Sequence, residues 1–331
     1  MTRLLDGPTI DRVLDVELAI EAMRRCFRQE GEGKAGDYAR VDVSHGNGWM
    51  RVLPAVMDGM GVYGHKTINL NDQHGVRYLV IVYDLTSGEL RGILDGEAIT
   101  NARTGATAAV AADLLAPEGV TTAAVIGTGW VARAQVPALH AVRPAEEIRV
   151  YSRLADNRSA FVEELRDQVD TRLVACERLE DAIEGANLIT LATKSSTPVL
   201  SANALTPGVH VNSMGSARPV LCELDPAAFS KFDLVACDSV ELVFSESGDG
   251  IAAVRDHGFD VKGAVDLAHL VTRQVEARTR ESQLTLFKST GTGLQDLALA
   301  ASLLEIAEAE GVGATFDDLQ HLKRFVSADR T

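Results

Sequence analysis

AAVIGTGWVARA, residues 123–134, joins a short apolar run to a glycine-rich turn and an alanine-rich segment. Gly127 permits a tight turn, Gly129 lets the backbone approach a pyrophosphate, and Ala132 allows a helix to pack closely on the strand. The helix would direct the positive end of its dipole at the phosphates. This order of strand, turn and helix predicts a dinucleotide-binding domain. The predicted contacts come from the loop and the first helical turn: Gly127, Thr128, Gly129, Trp130 and Val131.

The second strand after this turn indicates which dinucleotide is bound. It is predicted over Ile148 to Tyr151 and is followed by Ser152 and Arg153. NAD sites usually carry an acidic residue here for the ribose hydroxyl, whereas an arginine accepts the 2′-phosphate of NADP. Ser152 and Arg153 are therefore predicted cofactor residues, and NADP(H) is favoured. NAD(H) stays the alternative, because Asp156 is close by and Arg153 could simply face solvent at a strand end.

The glycine-rich turn opens a region in which strands and helices alternate. Apolar runs such as EIRVY, TRLVAC, NLITLAT, GVHVNS and FDLVAC recur with helical segments between the earlier ones. Such alternation predicts a doubly wound parallel sheet. Upstream, residues 39–93 consist of short β-prone runs separated by turn clusters, which predicts an antiparallel or mixed sheet.

Helical patterns flank these two sheet regions. Apolar residues recur at helical spacing from Val16 to Phe27, so we expect an amphipathic helix as the first element. An alanine-rich helix is predicted over Asp95 to Leu115. Near the end of the sequence, LQDLALAASLLEIAEAEG again has strong helical periodicity. The chain as a whole is therefore predicted to be an α/β protein.

Length and composition restrict the domain count and the class of partner. A chain of 331 residues is expected to form about two domains. Lys and Arg number 32 against 47 Asp and Glu, and the net charge of −15 disfavours nucleic acid or an anionic membrane as partner. No apolar run approaches the ~18 residues of a membrane span. The first residues do not resemble a secretory signal, and the cysteines and histidines lack metal-ligand spacing, so we expect a cytoplasmic protein without a metal.

Two basic residues upstream of the glycine-rich turn stand in unusual surroundings. Lys66 lies in VYGHKTIN, among residues that would otherwise be buried, and Arg103 lies in the small-residue segment NARTGATAAVAA. Guanidinium groups bind carboxylates through two parallel hydrogen bonds, and a lysine can donate a proton or hold an anion. Both residues are therefore candidates for a catalytic site that binds a carboxylate. An internal salt bridge is the alternative for each.

Six stretches, taken in order, resemble the ornithine cyclodeaminase/mu-crystallin family. They are GHKTIN, DGEAITNARTGATAA, IGTGWVARAQ, GSARPVLCELD, DSVELVFSESGD and LFKSTGTGLQD, and together they span nearly the whole chain. The combination is far more specific than any single stretch. The resemblance implies a Rossmann-type domain, residues 117–299, inserted into an α+β sheet domain, residues 1–116 plus 300–331. The α+β domain would bind substrate and form a homodimer.

The resemblance also implies roles for individual side chains. Arg40 and Arg103 would hold the α-carboxylate of a small imino or amino acid, and Lys66 would bond to the substrate near its reacting carbon. Glu246 matches a position near the substrate. The positions that would lie along the cofactor are Thr104, Thr193, Met214 and Ser289.

One departure from the family bears on the reaction. Cyclodeaminases of this family carry an Asp in a Gly-Gly-Asp element, and this Asp acts during ring closure with loss of ammonia. Here the element begins at Gly215, and Ala217 occupies the Asp position. A methyl group cannot accept a proton. The chain is therefore expected to be closer to the mu-crystallin-like members, which resemble imine or ketimine reductases.

The expected reaction is NAD(P)H-dependent hydride transfer to the C=N carbon of an α-imino acid, which forms an L-amino acid. Lys66 is the expected proton donor, and Glu246 is the alternative. Pyrroline- or piperideine-2-carboxylate needs one carboxylate clamp and an apolar ring pocket. Iminosuccinate needs a further cation, for which Arg218, Arg51 and His45 are available, whereas iminopyruvate needs neither. An ornithine cyclodeaminase-type or alanine dehydrogenase-type enzyme stays a second hypothesis. In another class, a crystallin-like protein would bind NADPH or a small ligand without catalysis.

Overall fold

The computed structural model describes residues 1–317 and 319–320 of the chain, whose strands form two eight-stranded sheets. The N-terminal third supplies most of the first sheet and three helices. Its elements are β1 (Thr2–Leu5), α1 (Gly7–Val13), α2 (Val16–Gly31), β2 (Ala35–Asp37), β3 (Val41–His45), β4 (Gly48–Met57), β5 (Val62–Asn71), β6 (Gly75–Asp84), β7 (Leu90–Asp95) and α3 (Gly96–Leu115).

The next part of the chain forms the second sheet, and the last described part returns to the first. The elements of the second sheet and its helices are β8 (Thr122–Ile126), α4 (Trp130–Val142), β9 (Glu147–Tyr151), α5 (Ala155–Leu165), β10 (Arg172–Ala175), α6 (Leu179–Ile183), β11 (Leu188–Leu191), β12 (His210–Ser213), β13 (Leu234–Cys237), α7 (Val240–Glu246), α8 (Gly248–His257), β14 (Ala264–Asp266), α9 (Leu267–Val271) and β15 (Thr285–Lys288). The returning elements are α10 (Gly293–Glu310) and β16 (Ala314–Phe316).

The first sheet is mixed, with the order β16-β1-β7-β6-β5-β4-β2, and β3 pairs with β4. Strands β4 to β7 form an antiparallel meander, whose register places Lys66 opposite Leu53 and Val80. Strand β1 runs parallel to β7 and antiparallel to β16.

The predicted amphipathic helix is present as α2, but the prediction that it is the first element of the chain is wrong. Strand β1 and helix α1 precede it, and both are too short to show a clear hydrophobic period.

Helix α10 covers the inner face of the first sheet. It packs against β4, β5 and β6 and also against α2 and α3, so nearly every residue from Gly293 to Leu304 is buried. The helix begins at Gly293, ahead of the expected return at residue 300. Residues 318 and 321–331 of the expected return segment lie outside the described residues. This helix brings the segment that directly follows β15 against the inner face of the first sheet.

The second sheet is entirely parallel, with the order β10-β9-β8-β11-β12-β15-β13-β14. This order confirms the prediction of a doubly wound parallel sheet. Strand β15 was not predicted, because four residues between polar segments carry little signal. It nevertheless lies between β12 and β13. The segments after β11, β12 and β15 therefore leave the sheet side by side, at the edge where such folds bind their ligands.

Helix α3 connects the two regions. Asp95 caps it by accepting a hydrogen bond from the backbone N of Glu97 at 2.8 Å, and the helix ends at Leu115, close to the predicted bounds. It packs tightly against α4 at Gly105, where a Cβ would collide with the carbonyl of Ala134. The described part of the chain contains no helix with both the length and the apolar character needed to cross a membrane.

Candidate active site

Two buried cations of the first sheet region meet on one carboxylate. The Nζ of Lys66 lies 2.6 Å from Oδ2 of Asp296, and Nε of Arg103 donates to Oδ1 of the same residue at 3.0 Å. Lys66 is on the inward face of β5, where residues alternate between buried and half-buried, and α10 supplies Asp296 from above that face. Lys66 and Arg103 carry one positive charge each against one negative charge on Asp296. This Lys66–Arg103–Asp296 cluster has room in its charge balance for one further anion.

Burial controls the protonation of Lys66. Its side chain is only 2% exposed, and this burial, together with the positive charges of Arg103 and Arg40, lowers the pKa of Lys66 to about 8 against the opposing influence of Asp296. Its Nζ also approaches Oγ1 of Thr100 at 3.3 Å. An amine with a pKa of about 8 is mostly protonated at neutral pH and loses its proton readily. Lys66 is thus suited to proton transfer.

Arg103 is oriented by polar residues of α10. Its Nη1 donates to Oε1 of Gln295 at 2.9 Å, in addition to the bond from Nε to Asp296. The turn before α10 packs on the guanidinium, since a Cβ on Gly291 would lie 2.6 Å from Nη1 and 2.8 Å from Nη2. Within residues 1–317 and 319–320, Nη2 makes no hydrogen bond. Nη2 therefore remains available to donate to a ligand.

Two further cations, Arg40 and Arg51, lie against the end of α7. Nη1 of Arg40 donates to Oε2 of Glu246 at 2.7 Å, and Nη2 of Arg40 donates to the carbonyl of Gly291. Nη1 of Arg51 is 3.4 Å from the same Glu246 oxygen, and Arg51 also makes two bonds of 2.7 Å to Asp42. Arg40 and Arg103 thus both contact the turn at Gly291. The structure brings four predicted substrate residues around one loop: Arg40, Lys66, Arg103 and Glu246.

The fifth predicted substrate residue, Arg218, is placed differently. Its side chain is exposed and has no hydrogen bond or ion pair among the described residues. Its carbonyl accepts a hydrogen bond from the backbone N of Gly248 at 3.2 Å, which ties its loop to the segment just after Glu246. Arg218 therefore lies on the solvent side of the loop that also carries Ala217.

The glycine-rich turn has the geometry expected of a pyrophosphate site. Gly127 has a φ of 113°, and a Cβ there would collide with the carbonyl of Ala192. Gly129 caps helix α4, and the space that a Cβ would occupy at Gly129 is open. Trp130, the first residue of the helix, is 68% exposed, and Val131 follows it. A turn that tolerates no side chain, followed by an open helix N-terminus, fits the pyrophosphate of a dinucleotide.

Two arginines lie near the end of β9, and the sequence interpretation used only one of them. Ser152 and Arg153 follow the strand, and Arg153 is exposed. Arg158 of α5 turns back, donates to the carbonyl of Ser152 at 2.5 Å and lies 5.8 Å from the centre of the Tyr151 ring. The described residues place no acidic hydrogen-bonding partner on Arg153. Arg153 is thus open to solvent at the end of β9.

Three predicted cofactor residues follow adjacent strands, and two of them donate hydrogen bonds to buried acidic residues. Thr193 follows β11 and donates from its backbone N and its Oγ1 to Oε2 of Glu223, at 2.8 and 3.0 Å. Met214 follows β12, and Ser289 follows β15 and donates from its Oγ to Asp238 at 2.7 Å. Thr104 of α3, the fourth, bonds internally to the carbonyl of Thr100. These residues surround the edge of the parallel sheet that faces the first region.

Comparison with known proteins adds a family to this geometry. Residues 5–311 match the ornithine cyclodeaminase/mu-crystallin family. The chain belongs to this family. The Delta(1)-pyrroline-2-carboxylate reductase of Bacillus cereus is 30% identical over 269 residues, which cover 79% of this chain and 82% of that protein. The ketimine reductase mu-crystallin of Mus musculus is 28% identical over 78% of this chain and 81% of its own.

A solved structure of the same family has the same fold. Thermococcus litoralis Delta(1)-pyrroline-2-carboxylate reductase, in complex with NADH and L-proline, matches with a TM-score of 0.89 at 28% identity, over 95% of this chain and 100% of that one. The family resemblance and the Rossmann-type fold class are thereby confirmed. The prediction of an NAD(P)-dependent oxidoreductase is also confirmed.

Sequence reasoning missed the acidic and amide residues of the site. Asp296 and Gln295 are within LFKSTGTGLQD, and that stretch served only as evidence of resemblance. A polar Gln-Asp pair inside an otherwise apolar helix was the available signal, because such residues are seldom buried without partners. Asp238 and Glu223 gave no comparable signal, since Asp238 follows a strand and Glu223 lies in a loop, where acidic residues are common.

Proposed function

We propose that this protein is an NAD(P)H-dependent reductase of α-imino acids that forms L-amino acids by hydride transfer to the C=N carbon. The observation that carries this proposal is the Lys66–Arg103–Asp296 cluster, in which two buried cations share one carboxylate beside the dinucleotide edge of the parallel sheet. A substrate carboxylate would complete the charge balance. Relatives named as pyrroline-2-carboxylate reductase and ketimine reductase support the same class of reaction.

The cofactor would bind along the C-terminal edge of the second sheet. Gly127 to Val131 would hold its pyrophosphate, and Thr104, Thr193, Met214 and Ser289 would lie along the nicotinamide half. When bound, the dinucleotide supplies the hydride. We favour NADP(H), since Ser152 and the exposed Arg153 stand where NAD sites usually carry an acid. NAD(H) is the alternative, and the Thermococcus litoralis relative was solved with NADH.

The arginines would bind the substrate carboxylate. Nη2 of Arg103 makes no hydrogen bond among the described residues, and Arg40 contacts the same Gly291 turn. Two guanidinium groups on one carboxylate would fix the orientation of the C=N bond relative to the cofactor. Because both arginines are already held by neighbouring acids or carbonyls, little side-chain freedom would be lost when the substrate binds.

Lys66 would protonate the imine nitrogen. An iminium accepts a hydride more readily than a neutral imine, so a positioned proton donor accelerates the reaction. The low pKa of Lys66 and its burial beside Asp296 suit it to this role. Glu246, the alternative donor, accepts hydrogen bonds from Arg40 and Arg51, which favours a role in holding these arginines.

The remaining charges favour a substrate with a single carboxylate. Arg51 is paired with Asp42 and Glu246, and Arg218 faces solvent, so neither presents an unpaired buried cation to a second carboxylate in this arrangement. We therefore rank pyrroline-2-carboxylate and piperideine-2-carboxylate above iminosuccinate. Iminopyruvate also has one carboxylate but no ring to fill an apolar pocket. Cyclodeamination is disfavoured, because Ala217 cannot act as the acid or base that it needs.

The outer face of the first sheet would form a homodimer. Tyr63 and Tyr83 stack there at 5.1 Å between ring centres, on the face opposite α10, and Leu79 of the same face is 43% exposed. Apolar side chains on a sheet face of this size are usually covered by another subunit. We also place the enzyme in the cytoplasm, where its four cysteines, all within the described ranges and without a disulfide, would remain reduced.

The purified protein with NADPH or NADH and a panel of imines tests this function. The panel is pyrroline-2-carboxylate, piperideine-2-carboxylate, iminosuccinate, and 2-oxo acids mixed with ammonia or methylamine. We expect NADPH oxidation with at least one cyclic imine and slower oxidation with iminosuccinate. Binding of NADPH without oxidation by any imine would instead support a non-catalytic ligand-binding protein.

The cofactor preference has its own test. Replacement of Arg153 by Ala should lower kcat/KM for NADPH by about tenfold and leave kcat/KM for NADH nearly unchanged, because only NADPH has the 2′-phosphate. Arg166→Ala is the matched control, since Arg166 is an exposed arginine nearby whose ion pair, among the described residues, is with Glu163. Equal loss with both cofactors would contradict a specific phosphate contact.

A further inference from the structure

The carboxylate of Asp238 collects hydrogen bonds from the segment that leads into α10. Asp238 follows β13 and is 1% exposed. Its Oδ2 accepts from Oγ of Ser289 at 2.7 Å and from the backbone N of Gly291 at 2.6 Å, and its Oδ1 accepts from the backbone N of Thr290 at 3.1 Å. Three consecutive residues of the turn are thus fixed by one buried side chain of the second sheet.

The same carboxylate determines how the amide of Gln295 is oriented. Nε2 of Gln295 donates to Oδ2 of Asp238 at 3.2 Å, and Oε1 accepts from Nη1 of Arg103 at 2.9 Å. An ionised carboxylate can only accept hydrogen bonds, and a guanidinium can only donate them. A flipped amide would face an acceptor with its oxygen and a donor with its NH₂ group. Asp238 therefore ensures that an oxygen of Gln295 is turned towards Arg103.

The turn fixed by Asp238 also touches both arginines that are proposed to bind the substrate carboxylate. The carbonyl of Gly291 accepts from Arg40, and its Cα side packs on the guanidinium of Arg103. Gly291 has a φ of 77°, a conformation that suits glycine, and a side chain there would displace Arg103. A shift of this turn would therefore move both guanidinium groups.

We propose that Asp238 is a positioning residue for the substrate-carboxylate clamp, acting through Gln295 on Arg103 and through Gly291 on both Arg103 and Arg40. This inference rests on the proposed function of the site, and it names a residue of the dinucleotide-binding region that controls substrate binding in the other region. Because Asp238 also holds Ser289 beside the cofactor edge, one carboxylate sets the distance between the clamp and the cofactor.

Asp238→Asn tests this inference with a nearly isosteric change. The asparagine has one acceptor oxygen in place of two, so an NH₂ group must face donors of the turn or of Gln295. We expect the KM for the imino acid to rise at least tenfold. The Kd of L-proline for the NADPH-loaded enzyme, measured by calorimetry, should rise by a similar factor. The Kd of NADPH should change less than threefold. Ser289 is only one of the predicted cofactor residues, and β11, β12 and β15 separate Asp238 from the strand that leads into the Gly127–Val131 loop.

Two further variants make the test specific. Gln295→Met removes the amide but keeps Asp238 and the turn, and it should also raise the L-proline Kd at least tenfold, even where Asp238→Asn fails to fold. Thr107→Val is the matched control. Thr107 donates to the same Oε1 of Gln295 at 3.3 Å, but its side chain makes no hydrogen bond to Asp238 or Arg103 among the described residues, so its removal should change KM and Kd less than threefold.

The outcomes separate this inference from the proposed function. A wild-type protein that reduces no imine with either cofactor contradicts the proposed function. An active wild type, with L-proline Kd and imino acid KM unchanged in folded Asp238→Asn and Gln295→Met, overturns the positioning role. Equal effects of Thr107→Val would also overturn it, since any disturbance of this core would then have the same result.

Discussion

Two lysines are buried among the residues that the structure describes, and their surroundings differ in charge. Lys66 is paired with Asp296, which also serves Arg103, so two cations share one carboxylate. Lys288, the fully buried last residue of β15, lies 3.3 Å from Asp249 and donates to Oγ of Ser213 at 3.0 Å. The same Ser213 donates to the buried carboxylate of Glu223 at 2.9 Å. This cation is therefore paired with one carboxylate and linked to a second through a serine hydroxyl.

The difference in charge balance indicates that Lys66 belongs to a ligand site and that Lys288 has a structural role. Around Lys288 the polar groups are satisfied by one another: Glu223 also accepts from the backbone of Gly215 at 2.6 Å, and Lys288 also donates to Ser216 at 3.1 Å. Such a network holds the loops after β11 and β12 in place. Around Lys66 a positive charge remains, and the pKa of Lys66 is lowered to about 8. The cluster with excess positive charge is the one that can accept an anionic substrate.

Replacement of Lys66 by Met should have the largest effect on catalysis. Loss of a general acid lowers kcat by about 10²–10⁴-fold. The fold should tolerate the change, because Asp296 keeps Arg103 as its partner and the buried charges then balance. Steady-state kinetics with the best imine and urea unfolding measure the two effects. Full kcat in the folded variant would refute the assigned role of Lys66.

Replacement of Lys288 by Met should show the opposite pattern. Without Lys288, Asp249 is left buried without its cation, and Ser213, which bonds to Glu223, loses its donor. The free energy of unfolding should therefore fall by about 3–5 kcal/mol. The kcat of the molecules that remain folded should fall far less than in Lys66→Met. Urea unfolding and kinetics at low temperature check this expectation. If Lys288→Met were as stable as the wild type, the contrast between the two lysines would be lost.

The pH dependence of kcat/KM provides a further test of the contrast between the two lysines. Only protonated Lys66 can donate a proton, and its pKa is lowered from its usual value to about 8. The kcat/KM should therefore be level below this pH and fall about tenfold per pH unit above it. The residual activity of Lys66→Met gives a reference pH profile of kcat/KM, in which the protonation of the imine itself still has its effect. A wild-type profile that stays parallel to this reference up to about pH 10, the usual range of a lysine, would argue against Lys66 as the donor.

The carboxyl of Glu30 lies in a third kind of surrounding, and its replacement should have a smaller effect, which is on stability. Its carboxyl has no hydrogen bond or ion pair within the described ranges, and burial together with Asp266, Asp37 and Asp238 raises its pKa to about 8. The folded state therefore keeps a proton that the unfolded chain loses above its usual pKa near 4.5, so this group costs stability as the pH rises from 4.5 to 8. Glu30→Gln should gain ~2 kcal/mol over the wild type at about pH 8 and much less at about pH 5. Thermal unfolding at both pH values measures it, and an equal gain at both would show that the proton is not involved.

Motifs of local geometry were predictable from the sequence. The turn at Gly127, helix α3 and the alternation of strands and helices all depend on neighbouring residues, and each agrees with the structure. Lys66 and Arg103 were found because charged residues in apolar or small-residue segments are unusual. The acidic partner was not predictable in this way. Asp296 is far from both cations along the chain, 193 residues from Arg103, and only the packing of α10 on the first sheet brings them together.

Two loop arginines show the other limit of sequence interpretation. In the sequence, Arg40 stands in a β-prone run and Arg218 in the element that begins at Gly215, and neither local pattern shows what surrounds the side chain. In the structure Arg40 is held between Glu246 and the carbonyl of Gly291, whereas Arg218 faces solvent. The difference comes from the turn before α10, whose position depends on Asp238 of the other sheet region. A side chain placed by a distant carboxylate leaves no local pattern.

Transfer of a label from cofactor to product tests the central claim most directly. The protein is incubated with NADPH that carries deuterium at both C4 positions and with pyrroline-2-carboxylate, and the product is examined by mass spectrometry and NMR. Hydride transfer to the C=N carbon predicts L-proline with one deuterium, located on its α-carbon, and the same placement in the product of any other imine that is reduced. Oxidation of NADPH that leaves no deuterium on the α-carbon, or no oxidation with any imine of the panel, would contradict the account.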